Sequence, residues 1–349
     1  DFQIVFESQK MPDLVQLPQT PEGALQIDTR VIEAAAKRIR PYIYQTPILE
    51  SPRLNDFLGY RLIVKAESLQ HTGSFKLRGA MNAVWSLGSD VQHVVAYSSG
   101  NHAQGVARAA ASRELKATIV MPKDSPSIKI EGTKAFGANV ITYDRYTESR
   151  EKIGFALSKK YNANLIKPYD DVRTIAGQGT VGLEIVQQLR ALGITPDAVL
   201  CCCGGGGLIA GLGIALHGHF PDVDIWCSEP EFYDDTKRSL ESNKIQQANT
   251  QKASICDAIV TPEPGKLTFP INRKHLSGGT VVTDHQVLKA ISTIFKHLKI
   301  VVEPGGAVAV AAALTGQIPK GSDVVVAVAS GGNIDKALLQ RALEVEPFI

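Results

Sequence analysis

Ala198-Val199-Leu200-Cys201-Cys202-Cys203-Gly204-Gly205-Gly206-Gly207-Leu208-Ile209-Ala210 is the stretch that decides the architecture. A short apolar run meets four consecutive glycines, and an apolar helical pattern over 208–216 follows. The uncharged run 198–217 comes close to the ~20 apolar residues that span a bilayer. The glycines interrupt any such helix, so a buried strand, a tight turn and a helix explain the run better.

The same alternation extends in both directions. Runs at 61–67, 93–98, 117–121, 139–143, 164–167, 198–203, 224–228 and 324–329 read as strands. Helical patterns at 101–112, 148–160 and 179–192 lie between them. Strands alternating with helices predict an α/β fold of two open, mostly parallel, twisted sheets covered by helices. Asp28-Thr29 caps a first helix that Pro41 stops. Residues 1–27 hold three prolines and no sustained period, so they read as an arm over the surface, with Met11 a candidate natural start.

At 349 residues the chain has room for two domains around one cleft. A net charge of only +2 gives no electrostatic case for nucleic acid or an anionic membrane, which leaves a small metabolite as the default partner. Cys201, Cys202 and Cys203 would alternate between the two faces of a strand, so they cannot form a compact metal cage. Without a Cys-x-x-Cys pair or a signal peptide, the five cysteines read as small buried hydrophobes in a reduced, cytoplasmic protein.

Open α/β sheets bind ligands at the carboxyl ends of their strands. Ser98-Ser99-Gly100-Asn101-His102 sits at one such end and opens a helix, whose free N–H groups suit a carboxylate; a capped turn is the plainer alternative. Gly204 to Gly207 offer a row of N–H donors for a phosphate. They also satisfy a loose dinucleotide pattern with Ala210 and an acid at Asp224 or Glu229, which keeps an NAD(P)-dependent oxidoreductase open. Ser330-Gly331-Gly332-Asn333 puts a neutral hydroxyl after a third strand, where its glycine pair is expected to open a helix. Lys76, flanked by Phe75 and Leu77 at a helix start, would be desolvated and near a positive helix end. Both effects free its amine for Schiff-base chemistry, although surface lysines on helices are far commoner.

Taken in order, these segments resemble the serine/threonine dehydratase and serine racemase family of pyridoxal 5′-phosphate (PLP) enzymes, of the fold type II, tryptophan synthase β-like architecture. The resemblance runs from about residue 29 to 345 and includes Thr72-Gly73-Ser74-Phe75-Lys76-Leu77-Arg78-Gly79, Ile175-Ala176-Gly177-Gln178-Gly179-Thr180 and Val302-Glu303-Pro304-Gly305-Gly306-Ala307. It implies that PLP lies in the cleft between a large domain (28–89 and 171–349) and a small one (90–170). Lys76 would hold the cofactor covalently, Phe75 would pack on its ring, Gly204, Gly205, Gly206 and Gly207 would bind its phosphate, and Asn101 its ring hydroxyl. Ser330 would face the ring nitrogen, where a serine leaves the ring a weaker electron sink than an aspartate would. Ser98, Asn101 and His102 would grip the substrate carboxylate. The implied reaction is α,β-elimination of water from a β-hydroxy amino acid such as serine, threonine or 3-hydroxyaspartate, giving a 2-oxo acid and ammonia.

The same resemblance assigns a divalent-cation site (Mg²⁺ or Ca²⁺) to Glu229, Tyr233 through its carbonyl, and Asp235, against the plainer reading of solvated acids on a loop. Ser99 matches the second acid/base of the racemases, so amino-acid racemisation is the nearest alternative. Arg150 matches a racemase arginine that could clasp a second carboxylate, or it is a surface salt-bridger. A β-replacement synthase and a cofactor-holding protein without turnover are further alternatives. A homodimer is expected. Cys256-Asp257-Ala258 and Glu303-Pro304-Gly305-Gly306 depart from the usual Ala-Asp-Gly and Glu-Pro-Ser-Gly, which leaves substrate preference open. With nothing after residue 349, the regulatory domain of biosynthetic threonine dehydratases is not expected.

Overall fold

The computed structural model describes residues 17–349, so residues 1–16 of the expected arm, Met11 among them, lie outside the described residues. The remainder of that arm is anchored. Thr20 caps a short helix, Pro21–Ala24, and Gln19 Oε1 accepts from the Val172 amide at 3.1 Å.

Ten strands follow among the described residues: β1 (Ile48–Glu50), β2 (Arg61–Ala66), β3 (His93–Tyr97), β4 (Lys116–Pro122), β5 (Asn139–Tyr143), β6 (Asn164–Leu165), β7 (Ala198–Cys202), β8 (Asp224–Pro230), β9 (Gly278–Val282) and β10 (Val324–Ala329). They form two sheets, one ordered β1-β2-β10-β7-β8-β9 and the other β5-β4-β3-β6. All pairings are parallel except β1 on β2. β7 and β10 are the most apolar strands and occupy the middle of the larger sheet, buried on both faces.

Strands β1 and β9 are absent from the sequence reading. β1 is three residues long, and β9 opens with Gly278-Gly279, a pair that reads as a turn. Those glycines are there because Trp226 and the Cys227 thiol press against their α-carbons.

The helix expected over 179–192 is longer, Val172–Ala191, and starts where Asp171 accepts from the Arg173 and Thr174 amides at 2.8 and 3.4 Å. Its early glycines look like helix breakers but allow helices to touch. A Cβ on Gly177 would lie 2.6 Å from the Arg78 carbonyl oxygen, and one on Gly211 would lie 2.3 Å from that of Ile175. The helices Lys76–Trp85, Val172–Ala191 and Gly207–His217 therefore pack backbone to backbone.

Two residues after Lys76, the fully buried Arg78 locks its helix to the larger sheet. Its guanidinium bonds Glu67 at 2.8 Å and Glu184 at 2.7 Å, while Lys65 reaches the same Glu184 at 2.7 Å. Buried charges persist only when paired and hydrogen-bonded, and here each has a partner. The apolar run 198–217 is strand, glycine turn and helix, and no described helix is long and apolar enough to cross a membrane.

Candidate active site

The carboxyl ends of both sheets face one cavity. It is lined from the larger sheet by Phe75, Lys76, Cys202, the glycines Gly204 to Gly207, and Ser330. Ser98, Ser99, Asn101, His102, Tyr143 and Arg150 line it from the smaller sheet. Every residue expected at the cofactor and substrate sites thus reaches the same space.

Lys76 is the first residue of its helix and keeps part of its surface open to the cavity. Its Nζ donates to the Pro168 carbonyl at 2.8 Å and lies 5.2 Å from the Phe75 ring centroid. Desolvation brings its pKa down to about 8; Cys202 opposes that shift and Arg150 adds to it. The loop bearing it is fastened to the end of β10. The Phe75 amide donates to the Ser330 carbonyl at 3.0 Å, and the Gly332 amide to that of Gly73 at 2.8 Å. Gly331-Gly332 does not open a helix, contrary to expectation: it forms this bridge, and the next helix begins at Lys336 under an Asp335 cap.

The glycine tetrad has the form of an anion cradle. Gly206 adopts φ +86°, a conformation that suits glycine, and a Cβ on Gly205 would sit 2.3 Å from the Tyr169 ring. Thr268 Oγ1 donates to the Gly205 carbonyl at 2.6 Å and holds the loop. The Gly204, Gly205 and Gly206 amides donate to no protein acceptor among the described residues, and the helix Gly207–His217 adds its positive end.

On the opposite wall, Gly100-Asn101-His102 opens the helix Asn101–Ser112, whose first amides lack intrahelical acceptors. His102 Nε2 lies 2.9 Å from the Ile166 carbonyl, so its proton sits on Nε2, and burial pushes its pKa down to about 3. Its Nδ1 is consequently an acceptor, and what His102 can offer a carboxylate is its backbone N–H. Asn101 is held at both ends of its amide. Nδ2 donates to Glu303 Oε1, and Oδ1 accepts from Asn333 Nδ2 at 2.8 Å. One Nδ2 hydrogen remains for a ligand.

Several wall residues are absent from the sequence reading. Lys129, almost fully buried, crosses the cleft to Asp257 at 3.1 Å and to Glu303 at 3.3 Å. Gly100 is small because Lys129 passes it: a Cβ there would fall 2.2 Å from Lys129 Cδ. Cys202 reads in the sequence as a core hydrophobe, yet it lines the cavity. Arg150 also lines it, with its guanidinium 5.4 Å from the Tyr97 ring centroid and its Nε on Glu151 at 2.8 Å.

Glu229, Tyr233 and Asp235 lie away from the cavity, at the end of β8. Glu229 is buried and accepts from the Thr236 and Lys237 amides at 2.9 and 2.8 Å. Asp235 is also buried and leaves Oδ2 without a partner. Burial raises both carboxyls, Asp235 to about 7, and Asp235 adds to the rise at Glu229. Among the described residues no cluster of three or more His, Cys, Asp or Glu side chains could hold a metal, so a cation here would need backbone oxygens as well.

A desolvated lysine, a glycine cradle and a neutral serine at neighbouring strand ends define an α/β enzyme built around a phosphate-bearing carbonyl cofactor. Residues 39–331 match the family model described as pyridoxal-phosphate dependent enzyme, and the chain belongs to that family. It is 40% identical over 303 residues to the L-threo-3-hydroxyaspartate ammonia-lyase of Saccharomyces cerevisiae, covering 86% of this chain and 91% of that one. It is 37% identical to the serine racemase of Dictyostelium discoideum over 89% of this chain and 96% of the relative. Among solved structures, a maize serine racemase matches with a TM-score of 0.85 and 34% identity, over 90% of this chain and 96% of that one. The dinucleotide reading of the glycine tetrad is thereby set aside. PLP fits the residues present: the cradle has unpartnered amides and no room for side chains, and Lys76 opens into the same cavity.

Proposed function

We propose that the chain is a PLP-dependent ammonia-lyase that eliminates water from a β-hydroxy amino acid, with a β-hydroxy dicarboxylate such as 3-hydroxyaspartate the favoured class. The observation that carries this reading is the convergence of Lys76, the glycine cradle and the Ser98–His102 nest on one cavity. Bound PLP supplies an electron sink for the substrate's Cα. Lys76, with its pKa brought down to about 8, would hold the cofactor and is suited to take a proton from the substrate's Cα. The free amides at the start of the helix Asn101–Ser112 hold the α-carboxylate. Arg150 and Arg145 give the cavity positive charge for a second carboxylate. Ser330, which lines the cavity and is uncharged, would face the ring without protonating it and so would favour elimination over transamination.

Ser99 favours racemisation as a second activity, because it lines the cavity and its hydroxyl could return a proton to Cα. One assay separates the two. Both enantiomers of serine, threonine and hydroxyaspartate are offered while ammonia, 2-oxo acid and substrate chirality are followed. A substrate that yields ammonia and oxo acid supports the lyase; inverted substrate without ammonia would replace it with the racemase.

In the same reading, Phe75, Lys76, Asn101 and Ser330 bind PLP beside the glycine cradle, and Ser98, Asn101, His102 and Arg150 contact the substrate. Residues 28–89 and 171–349 are taken as the large domain and 90–170 as the small one, in keeping with the membership of the two sheets. The unpartnered Asp235 Oδ2 beside buried Glu229 suits Mg²⁺ or Ca²⁺, with the Tyr233 carbonyl as third ligand. A cytoplasmic homodimer completes the reading, and light scattering at micromolar concentration tests the dimer.

A further inference from the structure

Cys202 ends β7 and Ser330 follows β10, the strand beside it. Both side chains are buried and both line the cofactor cavity. The Cys202 thiol donates to Ser330 Oγ at 3.2 Å. Strand alternation sends the next thiol elsewhere, and Cys203 Sγ contacts Thr236 Oγ1 at 3.2 Å. The Ser330 backbone is pinned on both sides: its amide donates to Gly306 O at 3.3 Å and its carbonyl accepts from Phe75. Its hydroxyl carries one hydrogen and two lone pairs. The thiol occupies one lone pair, and among the described residues no protein acceptor takes the hydrogen.

We propose that Cys202 is a positioning residue: its thiol fixes the Ser330 hydroxyl so that the hydroxyl hydrogen points into the cavity, at the ring nitrogen of the cofactor. The inference rests on the PLP reading above and adds a residue to it. A thiol suits the position because it donates weakly and is small enough to share the strand end with the glycine cradle. Without it, the Ser330 hydroxyl would lose the side-chain contact that fixes its rotation, and the ring would receive a less constant hydrogen bond.

The test compares holoenzyme carrying Cys202→Val, Cys202→Ala or Cys202→Ser with the parent, reading the absorption maximum of bound PLP, its dissociation constant, kcat and KM. Val and Ala should displace the absorption maximum and lower kcat by about 3–10-fold, the worth of one neutral hydrogen bond, with KM held within about twofold. Ser, which still donates, should keep the parent spectrum and rate. Ser330→Ala should behave alike with or without Cys202→Val, since the thiol acts only through that hydroxyl. A parent-like spectrum and kcat in Val and Ala would overturn the role of Cys202, as would equal damage in Ser or additive losses in the double variant. The two readings fail differently: a parent protein that takes up no PLP sinks the cofactor reading itself, whereas a normal parent beside silent Val and Ala variants sinks only this one.

Discussion

The amine of Lys76 rests on the carbonyl oxygen of Pro168, 2.8 Å away, and so bridges from the larger sheet to the segment that follows β6. A carbonyl can hold either the ammonium or the amine, and the amine is the form that captures a carbonyl cofactor. With a pKa near 8 in place of 10.5, the fraction of free amine rises as pH passes up through about 8. The rate of PLP uptake by the cofactor-free protein should follow that curve and level off above it. Stopped-flow absorbance from about pH 6.5 to about pH 10 measures this, and a midpoint near the ordinary lysine value would show a solvated amine. Lys76→Ala should show no covalent PLP band and no turnover.

Placing a methyl group on Gly205 forces it onto the Tyr169 ring. Gly205→Ala should weaken PLP binding by about tenfold or more, since overpacking of this kind costs about 1–3 kcal/mol. Fluorescence titration of the cofactor-free protein reads the loss. Tyr169→Ala, which opens the space, should restore part of it in the double variant.

Lys129 holds two carboxylates across the cleft, and one of them, Glu303, is buried. Lys129→Met leaves that charge unpaired and should lower the unfolding free energy by about 3 kcal/mol. Adding Glu303→Gln should recover much of this, because the orphaned charge is then gone. Urea unfolding of the two single variants and the double gives the coupling energy. Strictly additive losses would mean that the pair is not coupled.

His102 is neutral when buried, with a pKa near 3 in place of 6.5. As pH falls below 6.5 the unfolded chain takes the proton first, so stability is full above 6.5 and declines toward pH 3. The slope from this one group is at most about 1.4 kcal/mol per pH unit. Urea midpoints measured between neutral pH and about pH 4.5 should fall less steeply in His102→Gln than in the parent.

A chelator should lower the melting temperature, and Mg²⁺ or Ca²⁺ should restore it. A cation beside Asp235 and Glu229 would offset the cost of burying both carboxylates. Asp235→Asn should abolish the response. A parent protein indifferent to both chelator and cation would rule the metal out.

What can be seen in the sequence is local: apolar runs, glycines after them and a lysine between apolar neighbours. That suffices for eight of the strands and for the cavity-lining segments that follow β3, β7 and β10. What stays hidden is set by distant partners. Gly177 looks like a breaker because nothing nearby in the sequence shows that Arg78 and Gly79 press against it. Lys129, Asp257 and Glu303 meet only in three dimensions, from segments with no common pattern. Cys202 reads as core because alternation along a strand does not show which face ends in a cavity.

The pairing of β2 with β10 joins residues 61–66 to 324–329 and carries a timing consequence. A chain emerging from the ribosome presents Lys76 first, the glycine tetrad next, and Ser330 with the bridge from Gly331 to Ser74 last of the three. Contacts so far apart in sequence form slowly. The nascent polypeptide therefore cannot assemble a complete reaction centre before Ser330 has left the ribosome, about 250 residues of chain after Lys76.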